Sequence, residues 1–158
     1  MRRTFADELL KHAQIDKDII LVTCDLGYKV WDQFREELPD QFINVGAAEQ
    51  AGMGIAVGLA LSGKKPFIYS ITPFLLYRPF ETIRNYIDHE NIPVRLIGSG
   101  ILRDYEHDGF SHWSDEVHQV LDIFANIKRY FPLCKEDIIP ILEEMITLDQ
   151  PSFIGLKR

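Results

Sequence analysis

Few side chains in this sequence are placed to bind or move protons at one spot. They are a carboxylate, Glu49, near the start of a predicted helix, a second carboxylate, Asp25, just past a predicted strand, and two imidazoles, His107 and His112, in a long predicted loop. Carboxylates and imidazoles are the common general acids and bases. Glu49 has the least ordinary surroundings. It lies in NVGAAEQAGMGIAVGLALSG, residues 44–63, where a short apolar run meets Gly46 and a helix then extends to a stop at Ser62 and Gly63.

The helix dipole alone favours a carboxylate in a first turn, so Glu49 taken singly says little. The helix behind it says more. Ala47, Ala51, Gly54 and Gly58 recur at helical spacing and leave one face nearly bare, with Met53, Val57 and Leu61 on another. Each glycine costs a helix about 1 kcal/mol relative to alanine. Several of them imply close approach by another helix, a second subunit or a ligand. They are not a dinucleotide fingerprint: the third glycine comes one residue late for G-x-G-x-x-G, and all fall inside the helix instead of at its opening turn.

The elements that must position these groups alternate along the chain. A helix over residues 3–15 carries Phe5, Leu9, Leu10 and Ala13 at helical spacing. A strand over 19–23 is apolar on both faces, the habit of a parallel sheet covered on both sides. A short helix over 31–38 and a strand over 42–45 precede the small-residue helix, and strands follow over 67–70, 93–98, 127–131 and 152–156. Between them lie helices over 78–88, 114–124 and 135–148, the last interrupted by Pro140, which should kink or shorten it. The expectation is a single α/β domain over residues 1–158, three-layered α/β/α, with a mostly parallel sheet of about six strands. Such sheets bind ligands at the carboxyl ends of their strands. Asp25, residues 46–49, Ser70 to Phe74 and the loop over 99–113 all fall there. A loop of that length inside a compact domain is usually functional.

A formal charge of −7 and an apolar content of 46% argue against binding driven by charge to nucleic acid or to anionic membrane. Cys24 and Cys134 have no second cysteine or histidine at metal-ligand spacing and are expected as buried, reduced thiols, which points to the cytoplasm. Acidic residues arrive before any apolar run at the start, so no signal peptide is expected, and no metal site is expected in this chain.

The motifs carry a resemblance. Val45-Gly46-Ala47-Ala48-Glu49-Gln50 with its small-residue helix resembles the glycine-x-x-glutamate segment of thiamine-diphosphate enzymes of the transketolase group, in their pyrimidine-binding domain. Four further segments match in order: Thr23 to Gly27, Thr72-Pro73-Phe74, Arg78 to Arg84, and Asp108-Gly109-Phe110-Ser111-His112. The resemblance implies that Glu49 hydrogen-bonds ring nitrogen N1′ of the cofactor aminopyrimidine and favours its imino tautomer. It implies that Phe74 stacks on that ring, with Tyr77 as the substitute stacker, and that Asp25 belongs to the same cofactor site. His112 is expected on the donor substrate, with Arg78 lining the channel and His107 accessory. Glu49 suits its role if burial in an apolar site raises its pKa.

Two departures qualify the resemblance. A histidine that transketolases usually carry about a dozen residues before the position of His112 is replaced by Gly98-Ser99-Gly100-Ile101, which leaves the substrate open. The glycine-aspartate-glycine motif of a diphosphate-binding domain is missing, and the sequence ends at Lys157-Arg158 where the family continues into a third domain. The resemblance therefore implies a subunit that shares thiamine diphosphate with a diphosphate-binding partner, which holds the Mg²⁺, in a heterotetramer. A homodimer of this chain alone is the other assembly. The implied activity is transfer of two-carbon ketol units between sugars or sugar phosphates. The alternatives are a 2-oxo-acid decarboxylase or deoxyxylulose-phosphate-synthase-like subunit, or a non-catalytic module of the same fold.

Overall fold

The computed structural model describes residues 1–158. Six strands form one sheet: β1 (Ile19–Thr23), β2 (Phe42–Asn44), β3 (Lys65–Ile71), β4 (Arg95–Ser99), β5 (Lys128–Tyr130) and β6 (Ser152–Leu156). Their order is β2-β1-β3-β4-β6-β5, and every pairing is parallel. All carboxyl ends therefore lie along one edge.

Side chains of alternate parity leave a strand on opposite faces, and here each face has its own core. Ile20, Val22, Ile68 and Leu96 point to one side, against α3 (Glu49–Leu61), α4 (Thr72–Tyr77), α5 (Phe80–Thr82) and α6 (Val117–Leu121). Ile19, Leu21, Phe67 and Ile97 point to the other, against α1 (Arg2–Ile15), α2 (Asp32–Glu37) and α7 (Ile138–Thr147). This is the expected three-layer arrangement, with the sheet wholly parallel. Strands β1, β4 and β6 are buried at every residue.

The structure departs from expectation at several places. Residues 72–77 are helical, and α5 continues as a wide π-helical turn over Ile83–Asp88 instead of a regular helix. Pro140 does not kink α7. It is the third residue of that helix, in the first turn, where a backbone N–H has no intrahelical partner to lose. Cys134 is exposed, and only Cys24 is buried.

The loop over residues 99–113 is folded. Two 3₁₀ turns occupy Glu106–Asp108 and Phe110–His112. Its base is closed by an antiparallel bridge, with the Ser114 amide donating to Leu102 O at 2.9 Å. Its middle is tied to the sheet by Tyr105, whose hydroxyl lies 2.7 Å from Ser99 Oγ and accepts from Arg2 Nη1 at 3.0 Å. No helix is long and apolar enough to cross a membrane.

Candidate active site

The turn from β2 into α3 sets the position of Glu49. Gly46 holds φ +73°, a left-handed conformation that glycine adopts without strain. Asn44 fastens the turn from outside: its Oδ1 accepts from the amides of Gly46 and Asp25, each at 3.0 Å. Glu49 is then the first residue of α3, and α3 lies close against the sheet because residue 52 has no side chain. A Cβ on Gly52 would stand 3.0 Å from Val45 Cγ2 and 3.3 Å from Cys24 Sγ.

Glu49 is 2% exposed, and both of its oxygens are engaged. Ser70 Oγ, at the end of β3, donates to Oε1 at 3.0 Å. Arg78 Nη1, just past α4, donates to Oε2 at 2.6 Å. A buried carboxylate is tolerated when it is paired and hydrogen-bonded in this way. The apolar enclosure expected around Glu49 is thus replaced by a hydroxyl and a cation. Next to it, burial and then the Glu49 charge push the Cys24 thiol up to about 12, so it stays protonated and is no nucleophile at neutral pH.

Phe74 lies on α4 beside this pair. The Arg78 guanidinium carbon sits 3.8 Å from the centre of its ring. The His112 ring also meets Phe74 edge-on, with centroids 4.8 Å apart. Ser111 Oγ is 3.0 Å from His112 Nδ1, which leaves Nε2 without a hydrogen bond inside the chain. Glu49, Arg78, Phe74 and His112, contributed by α3, the end of α4, α4 and the long loop, therefore form one continuous row. Gln50, the neighbour of Glu49, donates to Thr82 Oγ1 at 2.7 Å and ties α3 to α5.

Three other expected residues lie outside that row. Asp25, with φ 56°, is exposed and bonded to Asn44, whose Nδ2 donates to its Oδ1 at 3.3 Å. Tyr77 packs against the core on the α6 side. Its buried hydroxyl makes no hydrogen bond, and its pKa is raised by burial first and by Glu116 second. His107 is exposed on the first 3₁₀ turn. Sequence reasoning does not single out Ser70 or Cys24 as site residues. Ser70 carries a signal that could have found it, since it ends the strand that leads to Phe74. Nowhere do three His, Cys, Asp or Glu side chains gather as a metal site.

Comparison with known proteins identifies the fold and the family. The sequence model of the family described as "Transketolase, pyrimidine binding domain" matches residues 1–158. The chain is 31% identical over 158 residues to an apulose-4-phosphate transketolase subunit of Phocaeicola vulgatus, covering 99% of this chain and 51% of that protein. It is 29% identical over 159 residues to a 6-deoxy-6-sulfo-D-fructose transketolase subunit of Clostridium sp., covering 100% and 49%. A solved split-gene transketolase, described as an inactive beta4 tetramer, superposes with a TM-score of 0.86 at 26% identity over 98% of this chain and 50% of that one. The chain spans about half the length of the curated relatives it matches. With the fold shared and the family model matched over the whole chain, the chain belongs to the transketolase pyrimidine-binding domain family.

Proposed function

We propose that this chain is the pyrimidine-binding subunit of a thiamine-diphosphate-dependent transketolase-like transferase, which moves two-carbon ketol units between sugars or sugar phosphates. The observation that carries the proposal is the pairing of a buried carboxylate with an aromatic face at the carboxyl edge of the sheet, Glu49 beside Phe74. The names of the relatives support the reaction class, since two are subunits of transketolases acting on sugars.

The residues fit one end of the cofactor. A flat ring can lie on Phe74 with its edge toward Glu49, as the flat Arg78 guanidinium does. The Mg²⁺ and the phosphates are assigned in this reading to a diphosphate-binding partner chain. When bound, thiamine diphosphate supplies an acidic thiazolium carbon able to take up a two-carbon unit. Glu49 hydrogen-bonds ring nitrogen N1′ and holds the proton there. Ser70 fixes the other carboxylate oxygen, so that the useful oxygen keeps its direction. Phe74 shields one ring face from water. His112, with Nε2 unengaged, donates to or accepts from an oxygen of the sugar. Arg78 lines the approach, with Asp25, Tyr77 and His107 at the margins of the same edge.

The bare face of α3 supports a partnered state. Ala51, Gly54 and Gly58 are exposed there, as is Ala47 in the turn before the helix, and a Cβ on Gly54 or Gly58 would meet nothing within 4 Å. Nothing inside the chain asks for glycine there, so the face is assigned to the partner, in a heterotetramer within the cytoplasm. A homodimer through the same face is the assembly open to the chain alone, and the solved split-gene relative is described as an inactive beta4 tetramer. The test is to isolate the chain with its partner and identify the bound cofactor by mass. Thiamine diphosphate in the complex is the expected result. A complex that binds none, or a chain that recruits no diphosphate-binding partner, overturns the proposal.

A further inference from the structure

Arg78 satisfies two groups at once. Its Nη1 is 2.6 Å from Glu49 Oε2, and its guanidinium carbon lies 3.8 Å from the centre of the Phe74 ring. A guanidinium is a flat N–C–N unit that offers donors in its own plane. An aminopyrimidine is also flat and presents an N–C–N edge. The two features that would hold such a ring here, an aromatic face and a buried carboxylate, are both taken by the arginine.

We propose that Arg78 is an internal plug: its guanidinium occupies the pyrimidine subsite between Phe74 and Glu49 and has to swing out before a ligand ring can enter. The proposal rests on the cofactor reading given above.

The two partners differ in their freedom to move. The Glu49 side chain is 2% exposed and is held from its other oxygen by Ser70 at 3.0 Å. The Arg78 side chain is 46% exposed, and its bond to Glu49 is the only hydrogen bond its guanidinium makes. The arginine is therefore the moving part, and the carboxylate stays where a ligand needs it. While in place, the plug also keeps a buried charge compensated, which a solvent-excluded carboxylate requires. A ring nitrogen facing Oε2 is an acceptor until it takes up one proton from solvent; so protonated, the ligand donates to Oε2 and takes over that duty as the arginine leaves. Binding through such an exchange is weakened by the fraction of time the subsite is plugged.

The experiment measures binding of 4-amino-5-hydroxymethyl-2-methylpyrimidine, the base without thiazolium or diphosphate, to the full chain by calorimetry, with the Arg78 side-chain Nε–H followed by NMR. Arg78→Ala is expected to bind about tenfold more tightly than the unmodified chain, as for a subsite plugged nine times in ten. Arg78→Lys keeps a cation for Glu49 but has no flat fork to lie on Phe74, so it remains folded and gains about threefold. In the unmodified chain the probe is expected to shift the Arg78 Nε–H signal toward its solvent-exposed position. Glu49→Gln in the Arg78→Lys background is expected to lose the gain, which locates the probe at the carboxylate. Glu49-dependent binding that is equal or weaker in both Arg78 variants overturns the plug and leaves the cofactor reading standing. Failure of every variant to bind the probe overturns both.

Discussion

Helix α3 has two regions that share a composition and differ in circumstance. At its start and along its inner face, every group is engaged: Glu49 by Ser70 and Arg78, Gln50 by Thr82, and Gly52 by the strand side chains it lies against. Along its outer face nothing is engaged, and Gly54 and Gly58 have open space where a Cβ would be. Glycine on the inner face is explained by this chain alone. Glycine on the outer face is not, since in an exposed helix it costs about 1 kcal/mol relative to alanine and gains no contact. The difference separates what the fold needs from what the proposed assembly would need.

The largest effect is expected on the outer face. Gly58→Trp should weaken association with the diphosphate-binding partner by about 10²-fold or more, equivalent to about 3 kcal/mol, while the chain alone keeps its melting temperature. Unchanged assembly by sedimentation would remove the outer face from the interface. Next is His112→Ala, which should lower sugar turnover by roughly 10²-fold with cofactor affinity unchanged, the size of effect typical of a lost acid–base group. Loss of cofactor binding with intact turnover at saturation would move His112 to the cofactor side.

On stability, the two faces should respond with opposite signs. Gly52→Ala sets a methyl 3.0 Å from Val45 Cγ2 and 3.3 Å from Cys24 Sγ, and this crowding, offset by alanine's helix gain of about 1 kcal/mol, should leave the isolated chain destabilised by up to about 2 kcal/mol. Gly54→Ala meets open space and should stabilise it by about 0.5–1 kcal/mol. Denaturant melts of the two variants sharpen the contrast, and equal signs would abolish it.

The smallest effect is one of pH. Burial, and secondarily the Glu49 charge, raise the Cys24 thiol from 9.0 to about 12. The folded chain keeps a proton that the unfolded chain releases, so this contribution is complete below pH 9 and is lost as pH rises toward 12. Cys24→Ala should flatten that part of the alkaline limb in melts compared at pH 8 and pH 11.

Much of the fold was legible because the sheet is buried on both sides. Residues 19–23 and 152–156 are apolar runs with clear stops, and the strands occupy those same residues. Pro140 is harder to read: it is expected to kink or shorten its helix, yet it sits in the first turn, where the missing N–H costs nothing. The site was legible as a set of residues at one sheet edge and not as a set of contacts. Glu49 and Arg78 are 29 positions apart on separate helices, and no local pattern links them, so the ion pair emerges only when β3 carries α4 alongside α3. Cys134 reads as a buried thiol from its apolar character, but it lies in the exposed loop between β5 and α7.

The most direct measurement is hydrogen–deuterium exchange at the thiazolium C2 of thiamine diphosphate bound to the partnered chain, compared between the native sequence and Glu49→Gln. If Glu49 activates the aminopyrimidine, exchange in the variant falls by about 10²–10⁴-fold while the cofactor remains bound. Exchange at the native rate in Glu49→Gln, with cofactor retained, would contradict the assignment of this carboxylate.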